Sequence, residues 1–107
     1  MIDLKKEHSD IVLDLLKRHI PTARVYVFGS RAKGAAGHSS DLDLAIDSDE
    51  PLAPIDLAEL EVDFSDSELP FYVDVIELNR VSPDFQERVQ EEWEIFYQPA
   101  IDSRQLT

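Results

Sequence analysis

Apolar and polar positions along this chain change period several times, and each change marks an element. Leu4, His8, Ile11, Val12, Leu15 and Leu16 recur at helical spacing, which predicts an amphipathic helix over 3–19 that Pro21 stops. "RVYVFG" (24–29) is β-branched and aromatic and ends in glycine, the signature of a buried strand. Residues 30–39 are rich in alanine and glycine and suit a turn, a short helix and a loop. "DLDLAID" (41–47) alternates strictly and predicts a second strand, with Leu42, Leu44 and Ile46 on one face and Asp41, Asp43, Ala45 and Asp47 on the other. After Pro51 and Pro54, the looser spacing of Ile55, Leu57, Leu60, Val62 and Phe64 predicts a helix. "FYVDVIEL" (71–78) is a third strand, with Asp74 on the face of Tyr72 and Ile76. Ser82-Pro83 opens a last helix carrying Phe85, Val89 and Trp93 at four-residue spacing, and "IFYQP" is a short strand or an extended tail. The predicted order is α-β-α-β-α-β-α, an α/β domain with a small sheet.

Length and composition narrow the class. At 107 residues, 43% of them hydrophobic, the chain is expected to form one domain over 1–97, with 98–107 as a frayed tail. There is no cysteine, which excludes disulfides and thiolate metal sites. No apolar run reaches the length of a membrane span and no signal peptide opens the chain, so a cytoplasmic protein is expected. The formal charge of -13 argues against a general nucleic-acid binder. That charge is unevenly placed. Residues 1–40 carry seven Lys/Arg against four Asp/Glu, whereas residues 41–107 carry three against nineteen. The basic half holds Arg31 and Lys33 beside a Gly-Ser turn, where they can face an anion. The acidic half can face a basic protein or a metal.

The chemistry concentrates in "FGSRAKGAAGHSSDLDLAI" (28–46). An unpaired buried carboxylate is costly, so acids inside apolar strands call for an explanation. Asp41 and Asp43 share one strand face with Cβ atoms roughly 6–7 Å apart, a spacing that suits shared coordination of a hard cation. Asp74, inside the next strand, makes a third carboxylate. Three acids on neighbouring strands repel one another, and divalent ions with a triphosphate would complete the cluster. The turn offers the complementary half. Gly29 lets the backbone approach a ligand closely, Ser30 has a hydroxyl and an amide to donate, and Arg31 and Lys33 are cations for phosphate.

Gly29-Ser30, ten residues (Arg31–Ser40) and Asp41-Leu42-Asp43 together resemble the signature of the minimal nucleotidyltransferases of the polymerase-beta-like superfamily. "FYVDVIEL" is similar to that family's third-carboxylate strand and "NRVSPDFQERVQEEWEIFY" to its closing helix, so the likeness spans nearly the whole chain. Lys33 departs from the arginine often found there, keeping the charge but losing the planar fork. The resemblance implies a small mixed sheet flanked by helices, the polymerase-beta-like fold. It implies transfer of AMP from ATP to a hydroxyl with two Mg²⁺ ions. Asp41, Asp43 and Asp74 would be the metal ligands and catalytic residues, with Asp74 helping to deprotonate the acceptor. Gly29, Ser30, Arg31 and Lys33 would hold the nucleotide. It further implies an antitoxin that modifies a tyrosine of a helical HEPN-type toxin. The chain is too short to include a separate acceptor-binding domain, so the acceptor is expected on a partner. Two other readings stay open: a non-catalytic module that neutralises a partner by occlusion, and a metal-binding regulator that senses nucleotide without transfer. His38 reads as an exposed loop residue, Trp93 and its neighbours as core, and Asp47, Asp49 and Glu50 as solvation of a strand exit.

Overall fold

In the computed structural model, which describes residues 2–34 and 41–99, three helices and four strands follow one another as α1 (Lys6–His19), β1 (Arg24–Phe28), β2 (Leu42–Asp47), α2 (Pro54–Asp66), β3 (Val73–Glu77), α3 (Pro83–Glu92) and β4 (Glu94–Tyr97). The sheet runs β3-β2-β1-β4. β1 pairs antiparallel with β2 and with β4, while β2 and β3 are parallel and joined through α2. The mixed sheet expected from the resemblance is therefore present.

One expected element differs. The helix anticipated after β1 is, within the described residues, a single 3-10 turn over Gly29–Arg31. Its place in the order is not that of a crossover helix, because β1 and β2 are antiparallel and need none. The remainder of that segment, 35–40 with His38, lies outside the described residues, as do 100–107 of the expected tail. The alternative of a strand at the C-terminus holds: β4 forms against β1, with a register shift between Val25 and Tyr26.

The two sheet faces are covered unequally. On one face α1 and α2 pack Val12, Leu15, Leu16, Leu60 and Phe64 against Val25, Val27, Leu42, Leu44, Ile46 and Val73, all buried. The loose apolar spacing of α2 has a simple cause: Leu60 and Phe64 are buried and Leu57 packs partly buried against the core, while Ile55 and Val62 stay exposed. His19 Nε2 lies 2.6 Å from Asp63 Oδ2 and ties the end of α1 to α2. On the other face α3 alone covers a smaller cluster, where Ala45, Leu78 and Val89 are buried against Tyr26, Phe28, Ile76, Phe85 and Trp93. α3 is well started, since Ser82 Oγ accepts the Phe85 amide and Pro83 sits in the first turn. Trp93, just past its end, stacks on Tyr26 with ring centroids 3.8 Å apart. As the residue types suggested, Trp93, Phe85 and Val89 are packing residues.

Asp47 is not merely a solvated strand end. It accepts from the buried Arg24 guanidinium at 2.9 and 3.3 Å across the β1–β2 pair, in the rung that the register makes Arg24↔Asp47. Among the described residues, no helix is long and apolar enough to cross a membrane.

Candidate active site

The second face of the sheet changes character over one rung. Tyr26, Ala45 and Ile76 stand side by side across β1, β2 and β3 under α3. Two residues along each strand in the appropriate direction, the same face presents Phe28, Asp43 and Asp74. Asp43 and Asp74 are direct partners in the parallel β2–β3 pair, so their side chains leave the sheet on the same side. Asp41 lies just before β2, two residues from Asp43 and on the same face by alternation.

These acids are less enclosed than their apolar neighbours in sequence suggest. Asp43 is half-buried, but Asp41 and Asp74 are exposed. β3 is an edge strand, and the apolar pattern of "FYVDVIEL" comes from its other face, which packs under α1 and α2. The carboxylates thus line an open shelf at the end of the α3 cluster.

Their electrostatics record the crowding. The Asp43 carboxyl is pushed up to about 6 from the usual 3.8, first by burial and then by Asp74, Asp41 and Glu92. A cation is the natural relief for such a set, and carboxylate oxygens are the donors that hard divalent ions prefer. Among the described residues no three acidic or imidazole groups already converge as a metal cage. An open pair of this kind fits an ion that takes its remaining oxygens from substrate phosphates, as Mg²⁺ commonly does. The residues present therefore fit a divalent ion held jointly with nucleotide.

The turn after β1 faces this shelf. Gly29 takes φ +75, a conformation that disfavours a side chain, and a Cβ there would overlap Asp43 Oδ2. Glycine is thus required twice, for the turn and for the approach to the carboxylate. The Gly29 amide points at the site and donates to Glu92 Oε1 at 3.0 Å. Ser30 is exposed in the same turn. Lys33 is also exposed, and its Nζ lies 2.8 Å from Glu92 Oε2.

Arg31 is placed elsewhere. Expected to face phosphate, it is buried, with Nη1 donating to the Asp3 carbonyl at 2.8 Å and its guanidinium 4.2 Å over the Phe71 ring. Phe71 packs on the core beneath α1 and α2, the opposite side of the sheet from the carboxylates. The helical sense of the turn causes this: Gly29, Ser30 and Arg31 cannot all point to one side in a 3-10 turn. The amide of Asp3 donates to the Arg31 carbonyl at 2.7 Å, so this residue fastens the N-terminal segment to the turn.

Glu92 was not singled out by sequence reasoning. It sits in an acidic run with Glu91 and Glu94, and nothing in its type or spacing distinguishes it. Only the packing of α3, anchored by Trp93 on Tyr26, brings it over the turn.

A turn amide beside carboxylates on two adjacent strands suits a phosphate held with a divalent ion, and comparison with known proteins identifies the family. The model of the family "Polymerase beta, Nucleotidyltransferase" matches residues 5–101. The chain belongs to this nucleotidyltransferase family. Among curated proteins it is 43% identical over 89 residues to "Probable protein adenylyltransferase MntA" of Haemophilus influenzae, covering 83% of this chain and 78% of that one. Among solved structures, a toxin–antitoxin complex with AMP-PNP contains a chain that is 25% identical, with a TM-score of 0.71, covering 86% of this chain and 74% of its own. A protein described as a minimal nucleotidyltransferase is 33% identical with a TM-score of 0.65, covering 83% of this chain and 89% of its own. The nucleotidyltransferase fold expected from the Gly-Ser and Asp-x-Asp pattern is thus shown.

Proposed function

We propose that this nucleotidyltransferase moves AMP from ATP to a hydroxyl, most specifically a tyrosine, of a helical HEPN-type toxin in the cytoplasm, and that it acts as the toxin's antitoxin. The observation that carries the reading is the Asp43–Asp74 rung facing the Gly29–Ser30 turn. The Haemophilus relative, named as a protein adenylyltransferase, and the toxin–antitoxin complex holding AMP-PNP supply the acceptor class and the nucleotide by analogy.

The position of each residue supports a role. The Gly29 amide, the Ser30 hydroxyl and the Lys33 ammonium hold the triphosphate. Asp41 and Asp43 would hold two Mg²⁺ ions together with phosphate oxygens, and Asp74 would complete one of those sites. When bound, the ions supply neutralisation of the charge that develops on the transferring phosphoryl group. Asp74, exposed on the edge strand, is the carboxylate that a docked partner can reach. It takes the proton of the attacking hydroxyl. The acceptor oxygen forms a bond to the α-phosphorus, the bond from that phosphorus to the bridging oxygen breaks, and pyrophosphate leaves. A tyrosine, with a pKa of about 10, needs this assistance at neutral pH.

Intact-mass spectrometry of the co-expressed toxin tests the proposal. Wild type should add the mass of one or more AMP groups, and Asp74→Asn should bind ATP yet modify the toxin poorly. A toxin that is neutralised but carries no AMP would instead establish the occluding module.

A further inference from the structure

Glu92 occupies the donors that the proposed function assigns to nucleotide. Both of its carboxylate oxygens are engaged there, one by the Gly29 amide at 3.0 Å and the other by Lys33 Nζ at 2.8 Å. A carboxylate with two oxygens bridging a glycine amide and a lysine ammonium is held as a phosphate would be: an anion on a turn amide with a cation beside it. The Lys33 hydrogen bond holds the Glu92 carboxyl below the usual range, with the Gly29 amide acting in the same direction, so the group is anionic at neutral pH.

This placement is built into the fold. Glu92 is the last residue of α3, and the next residue, Trp93, stacks on Tyr26 at an interplanar angle of 10°. That stack fixes where the end of α3 lies, and so aims Glu92 at the turn. Its neighbour Glu91 is exposed. Glu92 also adds to the negative charge felt by Asp43, so it opposes an incoming triphosphate both by occupancy and by charge.

We propose that Glu92 is an internal competitor for nucleotide: it satisfies the Gly29 amide and Lys33, and ATP gains those donors only by displacing it. This rests on the reading of Gly29 and Lys33 as phosphate donors, and deepens it by naming the group that nucleotide must displace. The functional consequence is a tuned affinity. The nucleotide binds less tightly than the same turn without the acid would allow.

The test is calorimetric titration of ATP with Mg²⁺ into the full chain and four variants, each first shown to be folded by its thermal transition. Glu92→Gln and Glu92→Ala should each bind ATP about three- to tenfold more tightly than wild type, the size of a lost ion pair plus relieved repulsion. Glu91→Gln, which removes an acid at the adjacent position, should change affinity little. Lys33→Ala should weaken binding. Unchanged or weaker binding by both Glu92 variants would overturn the proposal while leaving the phosphate reading intact, provided Lys33→Ala still weakens binding. An equal gain from Glu91→Gln would overturn it too, because general repulsion would then explain the effect. No loss from Lys33→Ala would overturn the assignment of Lys33 as a phosphate donor, and the competition at that donor with it.

Discussion

Replacing Asp43 by asparagine should make this protein more stable at neutral pH. The carboxylate is crowded on its shelf, with its pKa raised from 3.8 to about 6 by burial first and then by Asp74, Asp41 and Glu92. A raised acid pKa means the folded protein holds the proton more tightly than the unfolded chain does. Between the two values, stability therefore falls as pH rises, and above pH 6 the ionised group is a net cost. At face value the shift corresponds to about 3 kcal/mol. Asp43 is only half-buried, so water screens part of the repulsion, and about 1–2 kcal/mol should reach stability. Asparagine is nearly isosteric, so the side chain still fits beside Gly29. In a domain of this size that gain is about 5–10 °C in Tm. The assay is thermal or urea unfolding of wild type and Asp43→Asn in EDTA at pH 7.5 and pH 4.5. Most of the difference should be gone at pH 4.5, where the folded wild type is already protonated at Asp43. A variant no more stable at pH 7.5, or a gain of equal size at both pH values, would refute the crowding argument and make the carboxylate a structural group.

Three further outcomes follow from named contacts. Gly29→Ala should lose about 2 kcal/mol in urea unfolding and abolish AMP transfer, because φ +75 is strained for a side chain and the new Cβ meets Asp43. Arg31→Met should lose about 2 kcal/mol of stability by removing the part-buried hydrogen bond to the Asp3 carbonyl and the Phe71 stack, with ATP affinity changed less than twofold in calorimetry; a large loss of affinity at unchanged stability would return Arg31 to the nucleotide site. ATP should bind at least tenfold more tightly with Mg²⁺ than in EDTA, and equal affinity in both would count against joint coordination by Asp41, Asp43 and Asp74.

The alternation in "DLDLAID" and "FYVDVIEL" determined which face of each strand carries an acid, because side-chain direction in a strand depends on nothing beyond parity. The Gly-Ser turn was legible for a similar reason: a glycine that ends a strand before small and polar residues marks a turn whatever surrounds it. Helix α1 and the start of α3 were equally local, set by spacing and by Ser82-Pro83. What only the tertiary structure decided is how these pieces meet. The β2–β3 register puts Asp43 opposite Asp74, and a shift of one residue would have sent them to opposite faces. The edge position of β3 leaves Asp74 exposed, although its sequence neighbours are apolar. The hand of the turn sends Arg31 under the sheet while Gly29 and Lys33 stay above it. Glu92 is the plainest case, being one acid among many in the sequence until the Trp93–Tyr26 stack sets it on the turn. Local periodicity records what a residue does within its own element. Contacts between elements distant in the chain depend on packing, which no short window of sequence contains.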